Sequence, residues 1–234
     1  MRCSLVIPCY NESRNLGPLL ARCDALASHP GIEVVIVDNG STDETQAVLP
    51  GLLAGRAHCR SVRVEVNQGY GHGILAGARC ARGEIVGWTH ADLQTDPLDV
   101  LEGLALFEAH GPCLLAKGRR HGRPWADRFF TAGMGVFETL LLRQPMWDIN
   151  AQPTLMPRSF LDELKNPPQD FSLDLYVFYT ARALGLPVRR FTVRVKERLF
   201  GVSHWNVGWT NRVRFIRHTV DFSLELRRRL RAGP

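Results

Sequence analysis

The chain has no apolar run approaching the roughly 18–20 residues that cross a bilayer as a helix, and the stretch Ser4-Leu5-Val6-Ile7 is broken by Pro8 before it could form the core of an export signal. The sequence therefore predicts neither a membrane span nor a leader. It also lacks a CxxC pair. The six cysteines (Cys3, Cys9, Cys23, Cys59, Cys80 and Cys113) are scattered, with no histidine at metal-ligand spacing. That argues against a disulfide framework or a zinc knot and predicts reduced, mostly buried thiols. Internal repeats and low-complexity tracts are absent too, which excludes a solenoid or a disordered tail of biased composition.

What is present is a chain of 234 residues, 45% hydrophobic, enough for one compact domain and too short to suggest two. Its formal charge of +6 points to an anionic partner, and the excess is uneven: from Arg212 to Arg231 there are seven arginines against Asp221 and Glu225.

Short β-rich runs alternate with helical patterns through the first half. Ser4–Ile7, Glu33–Val37, Ser61–Val66 and Glu84–Trp88 read as strands, with helices predicted around Leu16 to Leu26, after Thr42, and over Gly73–Ala81. A helix then runs from Asp96-Pro97 to about Ala109, followed by a strand at Cys113–Lys117 and a basic loop, Gly118 to Arg123. Helices at Trp125–Leu142 and Ser172–Leu184 precede a last strand at Val188–Val195. Such alternation implies an α/β fold with a mostly parallel, doubly wound sheet, which binds ligands beyond the carboxyl ends of its strands. Four polar turns occupy those positions: Pro8-Cys9-Tyr10-Asn11-Glu12, Asp38-Asn39-Gly40-Ser41, Asn67-Gln68-Gly69-Tyr70-Gly71 and His90-Ala91-Asp92-Leu93-Gln94. They are expected to meet along one edge.

Asp92 and Gln94, a carboxylate and an amide oxygen two residues apart, can face one hard cation such as Mg²⁺ or Mn²⁺. The competing assignment is a pair that caps the helix beginning near Pro97. Neighbouring polar turns favour the cation, because a metal bridging a nucleotide diphosphate belongs at that edge.

Val6-Ile7-Pro8-Cys9-Tyr10-Asn11-Glu12, Val37-Asp38-Asn39-Gly40-Ser41-Thr42-Asp43 and Ala91-Asp92-Leu93-Gln94 together resemble the successive signatures of family 2 glycosyltransferases, with the 67–71 turn and Ala81-Arg82-Gly83-Glu84 also matching. The resemblance implies a GT-A (Rossmann-like) fold and a nucleotide-sugar donor, GDP- or UDP-linked. Pro8, Tyr10, Glu12 and Asp38 would hold its base and ribose, with Asn39, Asn67 and Gly71 lining the same donor site. Two positions depart from the pattern: Asn39 stands where the family usually has Asp, and His90 replaces the first carboxylate of Asp-Ala-Asp. His90 then either joins Asp92 and Gln94 at the metal or serves as a structural residue.

In the carboxyl half, Arg119 followed by Trp125 and Arg128, then Asp148, then Arg198-Leu199-Phe200-Gly201-Val202-Ser203-His204 resemble the dolichyl- and polyprenyl-phosphate mannose or glucose synthases. By that resemblance Arg119, Arg128 and Arg198, with Ser203 and His204, grip the phosphate of a lipid acceptor. Guanidinium groups suit a phosphate monoester because they offer it paired, planar hydrogen bonds. His204 stands where those synthases usually carry lysine. Arg120 and Arg123 read as loop charges.

Asp174 lies where family 2 enzymes acting on hydroxyl acceptors place the second acid of a Glu-Asp pair; the preceding residue here is Leu173. A hydroxyl nucleophile needs a general base, whereas an ionised phosphate needs none. Asp174 exposed on its helix would favour a phosphate acceptor, and Asp174 buried in the cleft a hydroxyl acceptor. Asn150 and Gln152, between Asp148 and Thr154, either bond sugar hydroxyls or satisfy loop backbone.

Finally, Trp209, Val213, Ile216, Val220 and Leu224 recur at helical spacing among arginines, predicting a basic amphipathic helix over 205–234 that lies on an anionic bilayer or packs on its own domain. Residues 1–204 are expected to form one glycosyltransferase domain, with a donor half at 1–117 and an acceptor half at 118–204. The expected activity is an inverting, metal-assisted sugar transfer to polyprenyl phosphate. Asp92, Asp174, Arg128 and Arg198 are the candidate catalytic residues. The expected location is cytoplasmic, at the membrane face, beside a membrane-embedded partner or without one, and no nucleic acid is implied. The alternatives are transfer to a saccharide hydroxyl with Asp174 as base, and a non-catalytic nucleotide-sugar-binding protein.

Overall fold

The computed structural model describes residues 2–123, 125–200 and 209–231. The elements follow in the order β1 (Cys3–Cys9), α1 (Ser13–Cys23), β2 (Ile32–Asn39), α2 (Thr45–Leu53), β3 (Cys59–Val64), α3 (Tyr70–Cys80), β4 (Ile85–Trp88), α4 (Val100–His110) and β5 (Leu115–His121). The chain continues through α5 (Trp125–Leu142), β6 (Thr154–Pro157), α6 (Arg158–Asp162), α7 (Leu173–Ala183), β7 (Val188–Arg194) and α8 (Trp209–Arg231). The strands form one seven-stranded sheet in the order β3-β2-β1-β4-β6-β5-β7. Every neighbouring pair is parallel except those of β6, which runs antiparallel to β4 and β5.

The mostly parallel sheet flanked by helices is the expected one, and its burial shows why. All eight residues of β2 are buried, as a strand covered on both faces must be. Period-two alternation sends Val6, Val35 and Val37 into one apolar layer with Ile74 and Ala78 of α3, while Leu5, Ile7, Val34 and Ile36 meet Leu16, Leu19 and Leu20 of α1 on the other face.

Two expectations are corrected. The supposed basic loop is the end of β5, where Arg119, Arg120 and His121 pair in register with Thr192, Val193 and Arg194 of β7. A strand absent from the local pattern, β6, occupies an interior position of the sheet between β4 and β5. It has four residues, too few to display a periodicity, and exists because β4 and β5 offer it a ladder on each side.

Helix α8 packs on α5 rather than standing free. Among its described side chains Ser223 and Leu226 are buried, whereas Leu224 of the predicted apolar stripe is exposed. Ser223 Oγ donates to Glu138 Oε1 at 2.7 Å, and the buried Glu138 Oε2 has no hydrogen-bond partner. Burial pushes the Glu138 carboxyl up to about 7. Because the folded-state value is raised, its contribution to stability is complete below the unfolded value of about 4.3 and is lost as pH rises through 7. Protection factors of the α8 amides, taken relative to intrinsic exchange, are therefore expected to fall between about pH 4.5 and 7. Glu138→Gln should flatten that dependence; unchanged protection in the wild type across this interval would contradict the assignment.

Candidate active site

Hydrogen bonds and ring contacts join the turns beyond β1 to β4 into a circuit. Asn11 donates its N–H to Ser41 Oγ at 3.0 Å and accepts the Thr42 N–H on Oδ1 at 2.8 Å, tying the first turn to the second. Asn39 Nδ2 donates to the Gly69 carbonyl at 2.9 Å, tying the second to the third. Tyr70 stacks on His90 with ring centroids 5.4 Å apart, tying the third to the fourth. Arg198 closes the circuit by donating to Asp92 Oδ2 at 2.7 Å and Glu12 Oε1 at 3.4 Å. The close approach depends on Gly40, at φ 72°, where a Cβ would run into the backbone of Val66 and Asn67.

Asp92 is buried at this edge. Its Oδ1 accepts the Gln94 N–H at 3.1 Å, and the intervening Leu93 holds φ 57°, a left-handed conformation unfavourable for a leucine. The Gln94 carbonyl in turn accepts the Lys196 N–H at 2.8 Å, which carries the strand-to-tail segment over Asp92 and delivers Arg198 to it. Burial raises the Glu12 carboxyl against the opposing effects of Asn15 and Arg198. Among the described residues, no three His, Cys, Asp or Glu side chains gather closely enough to form a metal cage. The donor set therefore suits a hard cation that brings most of its own oxygens, as one bound to a diphosphate does.

Beneath this edge lies a second, buried cluster. Asp174, in the first turn of α7, accepts Trp88 Nε1 at 3.2 Å on Oδ1. Gln152 Nε2 reaches both Asp174 oxygens, at 2.9 and 3.1 Å, and lies 3.1 Å from the Tyr70 hydroxyl. Lys117, fully buried in β5, donates to Thr154 Oγ1 at 2.8 Å and the Ala151 carbonyl at 3.0 Å, with Nζ 3.7 Å from Asp174 Oδ1. Burial pushes the Lys117 ammonium down to about 8, against the pull of Asp174. A chain of contacts thus runs from Lys117 through Asp174, Gln152 and Tyr70 to His90.

The family model for glycosyl transferase family 2 matches residues 4–164, more than half of the chain. The chain belongs to glycosyl transferase family 2. It is 38% identical over 109 residues to an undecaprenyl-phosphate 4-deoxy-4-formamido-L-arabinose transferase of Pseudomonas savastanoi pv. phaseolicola, a match covering 45% of this chain and 32% of that protein. It is 34% identical over 122 residues to a dodecaprenyl-phosphate galacturonate synthase of Rhizobium johnstonii, covering 50% and 36%. The match thus spans about a third of the length of these relatives. The crystal structure of glucosyl-3-phosphoglycerate synthase from Mycobacterium tuberculosis with Mn²⁺, UDP and glucosyl-3-phosphoglycerate superimposes with a TM-score of 0.74 at 18% identity, covering 97% of this chain and 79% of that one. The two share a fold.

In this family 2 chain the residues expected on the donor side are differently engaged. Glu12, Asn39, His90 and Asp92 belong to the circuit, whereas Tyr10 is exposed beside it. Asp38 is buried, with Oδ1 accepting the Ser41 N–H at 3.0 Å and Oδ2 paired with Arg63 at 2.5 Å. The space a Cβ would need at Gly71 is filled by the carbonyls of Pro168 and Asp170, so this glycine serves a chain contact. Of the residues expected at the acceptor, Arg198 is held by Glu12 and Asp92, while Arg119 on β5 and Arg128 on α5 are exposed. Ser203 and His204 lie outside the described residues.

Arg120, read from the sequence as a loop charge, clamps the 148–153 segment. Its backbone N–H and Nε donate to the Asp148 carboxylate at 2.9 and 2.7 Å. Burial alone would raise that carboxyl, but the Arg120 charge and hydrogen bonds hold it below the usual range. From the sequence, Lys117 and Trp88 read only as strand ends. The available signal was a lysine within the apolar run Leu114-Leu115-Ala116-Lys117, where a charge demands a buried partner.

Proposed function

We propose that this family 2 chain transfers a sugar from a nucleoside diphosphate donor to the phosphate of a polyprenyl lipid, inverting the anomeric carbon in one displacement. The observation that carries this reading is the state of Asp174. Its burial alone would favour a hydroxyl acceptor, but a general base needs a free oxygen facing the substrate proton. Both Asp174 oxygens already accept hydrogen bonds from Trp88 or Gln152, beside the Lys117 ammonium. A phosphate monoester, ionised at neutral pH, needs no base. The lipid-phosphate acceptors named for the Pseudomonas and Rhizobium relatives point the same way.

In this proposal Asp92, with Gln94 and His90 beside it, holds the divalent cation of the donor diphosphate; the Mn²⁺ and UDP of the mycobacterial structures favour Mn²⁺ and a uridine donor. The cation supplies charge stabilisation for the departing nucleoside diphosphate. Glu12, Tyr10 and Asp38 position base and ribose, and Asn39, Asn67 and Gly71 shape the turn beneath them. Arg198 neutralises Asp92 and Glu12 before ligands arrive, then turns with Arg119 and Arg128 to the acceptor phosphate. The lipid acceptor places the protein at the cytoplasmic face of a membrane.

Incubation with polyprenyl phosphate, Mn²⁺ and a panel of radiolabelled nucleotide sugars should yield an organic-soluble product that releases its sugar in mild acid, as a sugar phosphodiester does. Label recovered only on a saccharide hydroxyl would reject the phosphate acceptor, and binding of donor without turnover would leave a non-catalytic partner.

A further inference from the structure

Helix α5 carries apolar side chains on two faces, with Leu142 buried in the core on one of them. At about 100° per residue, positions 125, 129, 136 and 140 share one face, and these side chains are exposed: Trp125 81%, Phe129 79%, Val136 45% and Leu140 75%. The opposite face buries a carboxylate, Glu138, against Ser223 of α8. A surface helix normally keeps apolar side chains on its buried face alone, and contiguous exposed apolar surface of this kind marks a docking face.

We infer that α5 docks on an anionic lipid bilayer through this face, lying in the plane of the headgroups. Charge selects that occupant. None of the four stripe positions is acidic, and exposed Arg128 borders the stripe one residue from Phe129, with exposed Arg119 on the preceding strand. Tryptophan and arginine beside a stripe of Phe, Val and Leu suit the boundary between headgroups and acyl chains. The choice of a bilayer leans on the lipid-acceptor reading above, and it assigns a membrane contact to α5. Docked this way, Arg119 and Arg128 would stand at the depth of lipid phosphates.

Flotation of the full chain with phosphatidylcholine vesicles, with and without phosphatidylglycerol, tests this directly. Wild type is expected to float with the anionic vesicles and to be released by salt. The double variant F129Q/L140Q should lose at least about tenfold in partition, the loss from two exposed apolar side chains, with an unchanged melting temperature. Undiminished flotation of the variant would overturn the proposal. So would a wild type that ignores vesicles and self-associates through residues 129 and 140, which would make the face a protein interface. Transfer to a short, water-soluble prenyl phosphate should be equal in both proteins; its absence in wild type would reject the proposed reaction while leaving the flotation result standing.

Discussion

Lys117→Met is expected to lower the unfolding free energy by about 3 kcal/mol, the lower end of the range for breaking a buried ion pair by removing one partner. Methionine matches the length of the lysine stem, so the change strips charge while leaving little cavity. It leaves the buried Asp174 carboxylate without the ammonium beside it, and removes the donor to Ala151 and Thr154. Asp174→Asn should cost less, because Lys117, already pushed down to about 8 by its burial, can shed its proton. The double variant K117M/D174N is expected to recover much of the loss, giving a coupling of about 1–3 kcal/mol in a urea-denaturation cycle. Additive losses would mean that the 3.7 Å pair is not an energetic unit. The cycle also bears on catalysis. If Asp174→Asn retains lipid-phosphate labelling, no obligatory base resides there, whereas total loss of turnover in a folded Asp174→Asn protein would return the hydroxyl acceptor to the front.

Asp92→Asn and Arg198→Met are expected to move cation binding in opposite directions. An amide cannot balance the cation's charge, so Asp92→Asn should abolish the Mn²⁺ enhancement of nucleoside diphosphate binding and reduce transfer by about a thousandfold, as losing a main electrostatic contribution to a transition state does. Arg198 occupies Asp92 Oδ2 at 2.7 Å, so a metal held by that oxygen would have to displace it. Removing the guanidinium should strengthen Mn²⁺ binding with the nucleotide by up to about fivefold, equivalent to the ~1 kcal/mol of a partly exposed ion pair. Transfer should nonetheless fall, since the same arginine is assigned to the acceptor phosphate. Calorimetry with UDP, with and without Mn²⁺, separates these effects. Weaker metal binding in Arg198→Met would show that the arginine supports the cation site and does not compete for it.

The donor edge could be anticipated because its ingredients are local. A strand of Val and Ile reveals itself by composition, its end by polar and glycine-rich turn chemistry, and the rule for doubly wound sheets says where those ends gather. Thus Asp92, Asn39 and the 67–71 turn could be placed on one edge before any contact was known. The arginines of β5 were harder. Gly118-Arg119-Arg120-His121 has the polarity of a loop, and becomes strand only because β7 lies alongside it.

Partnerships across long separations were beyond local pattern. Arg198 meets Asp92 from 106 residues away, and Trp88 meets Asp174 from 86. Neither pairing follows from propensity: the first depends on the segment after β7 crossing back to Gln94, the second on α7 packing under β4. The amino-acid order thus specified strands, turns and the chemistry at their tips, since these arise from interactions within a few residues. That Asp174 meets Trp88 and Gln152, and that Arg198 meets Asp92 and Glu12, was decided by packing: burial forces each charge to take the nearest partner the fold supplies.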